Sequence, residues 1–224
     1  MRSGSEQKTE SESTRERIKA AAADVFIEKG LDGARMQAIA DRAGANKAMI
    51  YYYFHSKEAL FEAVIRETFE ELFNLFSDIQ PGRSLDPKKL IPQIVHIHMK
   101  FLADHPYIPK IMVREMHSGN RIAEKVLREL FAKMKLGRYF NFIKVFEAGA
   151  KAGKIRRVDP LQTIWNIVAL NIFYFVARPF LMAGWPELFE ERSEEEILKA
   201  REKAVSDFIL HALKAQTRRV TADG

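Results

Sequence analysis

The chain has 224 residues, 47% of them hydrophobic, which is enough for one large folded domain or two smaller ones. It contains no cysteine, so disulfides, thiol catalysis and cysteine-ligated metal sites are excluded, and this composition suits a reducing cytoplasm. The formal net charge of +6 favours a polyanionic partner, but a modest excess of this kind decides little alone.

The N-terminal 13 residues are polar and contain no apolar stretch. They predict a disordered arm and not a signal peptide. A first helix is predicted from a cap at Thr14 to about Lys29, because its apolar residues recur on one face and Gly30 follows.

Residues 35–54 predict two short helices joined by a tight turn. Apolar residues three and four apart place the first helix on residues 36–42. Gly44 ends it, since glycine readily takes the left-handed conformation after a helix, and Asn46 can cap the next first turn. Helices joined this tightly cross steeply, and this geometry lets the second helix enter a DNA major groove.

Three successive tyrosines, Tyr51, Tyr52 and Tyr53, lie on the second of these helices. Consecutive helical residues point about 100° apart, so at least one tyrosine must face outward. An outward tyrosine can donate its hydroxyl to a phosphate, and Lys47 supplies charge. A helical hairpin with a tyrosine-rich packing surface is the alternative, and the sequence does not settle which tyrosine would contact DNA.

The segment AIADRAGANKAMIYYYFHSKEAL resembles the DNA-binding segment of the TetR (tetracycline-repressor-like) family of bacterial transcription regulators. The matching residues are Ile39, Ala40, Ala43, Gly44, Tyr51, Phe54, Lys57 and Leu60. The sequence resemblance runs from Thr14 to about Leu60. After Leu60 the chain resembles the family only in its helical architecture. One departure is that the family often caps the first helix of the motif with Ser or Thr, whereas this chain has Ala34 and Arg35. That helix start is therefore expected to be frayed, or held by Gly33 and a phosphate.

The resemblance implies DNA contacts for seven residues, namely Gln37, Asn46, Lys47, Tyr51, Tyr52, Tyr53 and Lys57. The chemistry agrees for most of them. The amides of Gln37 and Asn46 can pair with an adenine edge, while Lys47 and Lys57 suit phosphates. Tyr53 stands where the family often has histidine.

A long helix is predicted from Ser56 to Ile79. At 1.5 Å per residue it spans roughly 30 Å, so we expect it to link two domains mechanically. Further helices are predicted from an Asp86 cap to His105, over residues 107–118, and as one element from Asn120 to about Lys151.

Residues 121–157 contain eleven lysines and arginines against three glutamates. Such runs usually form a solvated cationic face. The alternative is attraction of an acidic effector or of phosphates that flank the operator.

The next helix, after a cap at Asp159, is apolar nearly all round, which predicts either burial on every side or a membrane span. Polar interruptions such as Asn171 and Arg178 argue against a membrane. We expect this helix, about 160–183, and a last helix, about 193–215 with a capping box at Ser193, to form the interface of a homodimer.

The family resemblance also implies an effector pocket in the helical body, and aromatic and methionine side chains suit a largely apolar effector. The candidate residues are Phe73, His98, Phe101, Met134 and Trp165. No metal site is expected, because His96 and His98 point away from each other on a helix. No cofactor is expected, and no strand-to-helix nucleophile elbow or glycine-rich phosphate loop supports an enzyme.

Together these features predict an all-α protein with a three-helix, helix-turn-helix domain at 14–60, a larger helical bundle for effector binding and dimerisation at 61–217, and a flexible tail at 218–224. The predicted function is that of a cytoplasmic, homodimeric, ligand-responsive repressor of a palindromic operator. Its effector would favour a tilt of the 56–79 helix. A helical small-molecule sensor or adaptor that does not bind DNA is the alternative.

Overall fold

The computed structural model describes residues 4–77, 79, 86–118, 121–133 and 136–215, so Met134 and the predicted tail lie outside the described residues. All regular secondary structure within these ranges is helical, which confirms the all-α prediction. The helices are α1 (Gly4–Gly33), α2 (Met36–Ala43), α3 (Lys47–Phe54), α4 (Lys57–Ser77), α5 (Pro87–Asp104), α6 (Tyr107–Ser118), α7 (Ile122–Lys133), α8 (Leu136–Lys151), α9 (Pro160–Gly184), a 3-10 turn (Pro186–Leu188) and α10 (Glu194–Ala212).

The chain divides into two compact units. The first comprises residues 1–71 and 110–133, and the second comprises residues 72–109 and 134–224. The division therefore falls inside α4 and inside α6.

The first unit has a core made by α1 to α4. Apolar side chains of α1 pack against α2, and the rings of Phe26 and Phe61 meet edge to face with centroids 5.0 Å apart. Such pairs contribute about 0.5–1.5 kcal/mol beyond the area that they bury. The fully buried residues of this core are Ile18, Ala22, Phe26, Ile39, Ala40, Ile50, Leu60, Phe61 and Ile65.

The second unit has its own core, formed by α5, α8, α9 and α10. Gly149 of α8 lies so close to Pro87 of α5 that a Cβ atom there would come within 2.4 Å of the proline ring, so only glycine permits this approach. The buried apolar residues are Leu90, Ile91, Ile94, Val95, Met99, Val145, Phe146, Ile155, Ile167, Tyr174, Val205, Ile209 and Leu213.

The structure corrects the predicted start of the first helix. α1 begins at Gly4, and Thr14 lies inside it, buried at 7% exposure, so Thr14 is not a helix cap. Helix also covers residues 4–13, where the sequence predicted a disordered arm. Glu, Gln and Lys are frequent in residues 6–12, and these side chains lose little rotamer freedom in a helix. Gly30 interrupts α1 as predicted, with a positive φ of 69°.

The single helix predicted from Asn120 to Lys151 is wrong, because α7 ends at Lys133 and α8 begins at Leu136. Gly137 lies in the first turn of α8, and glycine costs up to about 1 kcal/mol in a helix interior. The other predicted helix starts are confirmed. Asp86, Asp159 and Ser193 each accept a backbone N–H as the N-cap, and Ser193 and Glu196 complete the capping box.

Basic residues of the 121–157 segment form several ion pairs. Lys125 and Arg66 both bind Glu62, at 3.0 and 2.8 Å, and together they hold the pKa of the Glu62 carboxyl below its ordinary value. Arg128 pairs with Glu124 on its own helix. Part of the positive charge of this segment is therefore locally neutralised.

The turn between α3 and α4 is strained. His55 has φ 65° and ψ −42°, and the Phe54 carbonyl accepts a 2.7 Å hydrogen bond from the Ser56 N–H. This is a γ-turn with positive φ at its centre, a conformation that is rare for any residue with a Cβ atom. The Ser56 hydroxyl then accepts from the Ala59 N–H and caps α4, which begins where the sequence predicts.

We expect His55→Gly to raise the free energy of unfolding by about 0.5–1 kcal/mol. Relief of the positive φ should gain about 1–2 kcal/mol, and the extra freedom of glycine in the unfolded chain should offset about 0.5–1 kcal/mol of that gain. Urea unfolding followed by circular dichroism measures the change, with His55→Val as the opposite control, which should be less stable than the wild type. A less stable His55→Gly protein would contradict the assignment of strain.

Candidate nucleic-acid interface

The turn between α2 and α3 fixes the geometry of the helix-turn-helix. Gly44 takes the left-handed conformation, with φ 60° and ψ 37°, which confirms its predicted role. Asn46 Oδ1 accepts a 2.8 Å hydrogen bond from the Met49 N–H and caps α3. Arg35 makes no side-chain cap for α2, which agrees with the expected departure from the family pattern.

One face of α3 is buried and the other is exposed. Ile50 and Phe54, four residues apart, are buried at 0% and 4% exposure. Their burial turns the opposite face outward, and Lys47 and Ala48 lie exposed on α3. The predicted outward-facing tyrosine is confirmed, because Tyr52 is 77% exposed.

The three tyrosines differ in exposure. Tyr51 is 43% exposed and the Lys47 Nζ lies 5.9 Å from its ring centroid, a weak cation–π contact. Tyr53 is half-buried, with its ring edge-on to that of Tyr52 at 5.2 Å. Tyr51 and Tyr52 therefore offer the most aromatic surface to a bound molecule.

Side-chain hydrogen bonds hold the predicted DNA-contact residues Gln37, Asn46 and Lys57 within the protein. Lys57 Nζ donates to the carbonyl oxygens of Asp32 and Ala34, each at 3.3 Å, and so ties the start of α4 to the turn before α2. Gln37 donates to Asp41 at 2.8 Å. Because the cap occupies Asn46 Oδ1, a paired contact of this amide with an adenine edge would have to break the cap.

Arg42, at the end of α2, pairs with Glu28 of α1 at 2.8 Å. This hydrogen bond raises the pKa of the Arg42 guanidinium above its ordinary value. Both side chains are exposed, so the pair contributes little to stability, and it removes one cation from those available to a phosphate.

The predicted effector residues of the second unit fall in different places. His98 and Phe101 are buried in α5, at 3% and 1% exposure, and Phe73 is half-buried in α4. Trp165 is 62% exposed on α9 and does not lie in the core. Trp165 therefore does not belong to the buried cluster that contains His98.

His98 has a polar neighbour that the sequence analysis did not include in the site. Its Nδ1 lies 3.2 Å from Nδ2 of Asn171, and the Phe76 ring packs nearby at 6.4 Å. Burial lowers the pKa of His98 to about 4, so the imidazole is neutral near pH 7. A neutral Nδ1 that accepts from the amide leaves the proton on Nε2.

In the sequence, Asn171 stands out only as a polar interruption of an apolar helix. It lies on the buried face of α9 with Thr163, Ile167 and Tyr174, at helical spacing. Sequence reasoning could have found it, since an amide among apolar residues that face a core must hydrogen-bond to something.

The described residues contain no group of three or more histidine, aspartate or glutamate side chains that could hold a metal ion. His96 is exposed and pairs with Glu202 at 3.0 Å.

α9 is long and apolar enough to cross a membrane by length and composition alone, which is weak evidence for a span. The helix has one face packed against α5 and α10, and that face includes Asn171. Its other face is apolar and exposed, and it includes Trp165, Phe173 and Phe180.

Comparisons with known proteins agree with this geometry. The model of "Bacterial regulatory proteins, tetR family" matches residues 18–64, and a "Tetracyclin repressor-like, C-terminal domain" model matches residues 87–209. The first range contains the whole helix-turn-helix, and the second covers more than half of the chain.

Curated relatives are transcription regulators. The chain is 29% identical to the regulator RutR of Escherichia coli K12 over 158 residues, which cover 70% of this chain and 71% of RutR. It is 34% identical to the transcriptional repressor NicS of Pseudomonas putida over 110 residues, 47% of this chain and 50% of NicS.

Solved structures share the fold. The regulator FadR of Bacillus subtilis, solved in complex with stearoyl-CoA, has a TM-score of 0.61 at 18% identity, covering 88% of this chain and 98% of FadR. HlyIIR, a hemolysin II transcriptional regulator, has a TM-score of 0.58 at 22% identity, covering 92% and 99%. The helix-turn-helix geometry and the two matched domains lead to one conclusion: the chain belongs to the tetR family of bacterial regulatory proteins and is a transcriptional regulator that binds DNA through its helix-turn-helix.

Proposed function

We propose that the protein is a homodimeric, cytoplasmic repressor that binds a palindromic operator through α3 and is released by a small-molecule effector bound in its second unit. The observation that supports this most directly is the exposed face of α3, with Lys47, Tyr51 and Tyr52 on a helix whose opposite face is buried. The name of NicS as a repressor supports the direction of regulation.

Contacts within the helix-turn-helix support different roles for its residues. Lys47, Tyr51 and Tyr52 contact the operator, where a lysine binds phosphate and a tyrosine ring packs on sugar or a thymine methyl. Tyr53 supports Tyr52 by its edge-on ring contact. Gln37 contacts a base after its side chain rotates away from Asp41. Its hydrogen bond to Asp41 joins two exposed side chains, so breaking it costs little free energy.

Asn46 and Lys57 act mainly by holding the interface in shape. Asn46 caps α3, and Lys57 ties α4 to the turn before α2 through two backbone carbonyls. Lys57 keeps a third N–H donor, so it can also reach a phosphate.

An exposed apolar stripe on α9 supports dimerisation. Trp165, Phe173 and Phe180 are 62%, 70% and 77% exposed and recur at seven and eight residues, which places them on one side of the helix. Contiguous exposed apolar patches usually mark interaction sites, and a twofold dimer uses the same patch on both copies. Nearby exposed apolar residues are Leu161, Met182, Trp185, Leu188 and, on α10, Phe208.

A dimer of this kind explains a palindromic operator, because it presents its two copies of α3 to successive major grooves, about 34–36 Å apart. The effector pocket that we propose lies beside His98, where Phe76 provides an apolar wall for a largely apolar effector. The effector lowers operator affinity only by the difference between its affinities for the two conformations of the protein.

Lys47→Ala should lower operator affinity about tenfold and reduce by about one the slope of log affinity against log salt concentration, because it removes one phosphate contact. Operator fragments are first selected from genomic DNA with the purified wild-type protein, and binding is then measured by fluorescence anisotropy at several salt concentrations. Lys89→Ala, which removes the same charge from an exposed position on α5, is the matched control. If Lys47→Ala kept the wild-type affinity and salt slope, α3 would not be part of the DNA interface. If the wild-type protein retained no genomic fragment, a sensor without DNA binding would be favoured.

Phe173→Glu should convert the dimer to a monomer at micromolar concentration, since burial of an unpaired carboxylate in an apolar interface is costly. Sedimentation velocity measures the change. Gln93→Glu, which adds the same charge at an exposed position of α5, should stay dimeric. A dimeric Phe173→Glu protein would mean that this stripe is not the interface.

The His98 environment should make stability fall as pH falls below about 6.5. The pKa of His98 is about 4 in the folded protein and close to 6.5 when unfolded, so between these values only the unfolded chain gains the proton. The loss approaches about 1.4 kcal/mol per pH unit inside this window and stops growing below it. Urea unfolding at pH 4.5 to 7.5 measures it, and His98→Gln should lose this part of the slope while exposed His96→Gln keeps it. Equal slopes for the wild type and His98→Gln would contradict a neutral, buried imidazole.

A further inference from the structure

Four buried polar atoms of the second unit have no hydrogen-bond partner within the described protein. They are Asn171 Oδ1, Tyr174 Oη and Arg178 Nε on α9, and Arg201 Nε on α10. Asn171, Tyr174 and Arg178 lie three and four residues apart, so they form one row along the buried face of α9. Buried polar groups are nearly always paired, so four unpaired atoms in one region call for a ligand or an ordered solvent molecule.

Asn171 is fully buried, and its only partner among the described residues is His98. Exchange of its amide oxygen and nitrogen would change which atom meets the imidazole but would leave the other atom unpaired. The amide therefore has one hydrogen-bonding position for another molecule.

Arg201 is a partly buried cation without an acidic partner. Its guanidinium donates to the Leu170 carbonyl oxygen at 3.0 Å and lies 5.2 Å from the centroid of the Tyr174 ring. Arg178, by contrast, pairs with Glu194 at 2.8 Å. In the part of the chain that the structure describes, no carboxylate lies within ion-pair distance of Arg201, so this region keeps one uncompensated positive charge.

We propose that Arg201, Tyr174 and Asn171 bind the carboxylate end of a small organic acid, which is the effector. The Arg201 Nε–H and the Tyr174 hydroxyl donate to the carboxylate oxygens, and Asn171 pairs with a second polar group where the acid carries one. A singly charged, planar carboxylate matches one planar guanidinium, whereas a phosphate carries up to two charges. The apolar part of the acid packs toward Phe76 and His98, so this inference rests on the ligand-responsive function proposed above.

This site lies on the buried face of α9, apart from the exposed aromatic stripe. Tyr174 and Asn171 are buried against α5 and α10, while Phe173 and Phe180 are exposed. The polar row therefore does not require a second subunit to be complete, and ligand binding can be tested apart from dimerisation.

The test measures thermal unfolding midpoints and dissociation constants of the full-length protein with three carboxylates, acetate, benzoate and octanoate. Acetamide, benzamide and octanamide are the neutral controls at equal ionic strength, and inorganic phosphate is a further probe. At least one carboxylate should raise the midpoint in a saturable way, and its amide should not. That carboxylate should also weaken operator binding.

The matched variants are Arg201→Gln and Lys203→Gln, which remove the same charge from α10 two residues apart, Lys203 being exposed. Arg201→Gln should raise the dissociation constant of the carboxylate about tenfold or more, because it removes a charged hydrogen bond, and Lys203→Gln should leave it unchanged. If Arg201→Gln does not fold, Tyr174→Phe removes only the hydroxyl and should raise the dissociation constant several-fold.

Several results would overturn the inference. The inference is wrong if none of the three carboxylates shifts the unfolding midpoint, or if the amides shift it equally. It is also wrong if only phosphate shifts the midpoint, or if the wild type and Tyr174→Phe bind the carboxylate equally. Carboxylate binding without any change in operator affinity would overturn the assignment of the acid as effector. Retention of operator DNA by the same preparations keeps the proposed function intact in each of these cases, so the two failures are distinguishable.

Discussion

Burial of Ile50 and Phe54 is the constraint on which the DNA-binding surface depends. The two side chains lie four residues apart on an eight-residue helix, and both must face the core of the first unit. When both side chains are buried, the Tyr52 side chain must point into solvent. The strained turn at His55 and the hydrogen bonds from Lys57 to the carbonyls of Asp32 and Ala34 then fix the chain that leaves α3. Rigid support of this kind is what a base-contacting surface requires, because small displacements break hydrogen-bond geometry.

α9 shows how one apolar sequence can serve two purposes. Its composition allows a membrane span, a core helix or an interface helix. The structure separates the faces, with Ile167, Asn171 and Tyr174 buried and Phe173 and Phe180 exposed. Tyr174 is adjacent in sequence to Phe173 but lies about 100° from it around the helix, so it meets Arg201 and not solvent.

Local rules explain what the sequence could predict. Caps at Asp86, Asp159 and Ser193 depend only on neighbouring residues, so they were predictable, as was the left-handed Gly44. The start of α1 was not, because Thr14 satisfies the local rule for a cap while favourable helix formers precede it. The contact between Tyr174 and Arg201 could not be predicted either, since it arises from packing between α9 and α10. Residue type alone does not reveal the exposure of Trp165, which is set by helix phase.

The unpaired polar atoms of α9 and α10 bear on how a ligand could control a DNA-binding surface elsewhere in the chain. Each buried atom without a partner costs about 1–3 kcal/mol, and a ligand that pairs it recovers that free energy only in the conformation that presents it. A typical coupling between two sites is also about 1–3 kcal/mol, which corresponds to a 5- to 150-fold change in affinity. Pairing of a single atom, such as Arg201 Nε, is therefore enough to drive regulation of ordinary strength. A hydrogen bond depends on the donor–acceptor angle as well as on distance, which apolar contacts do not, so it adds a directional discrimination between conformations.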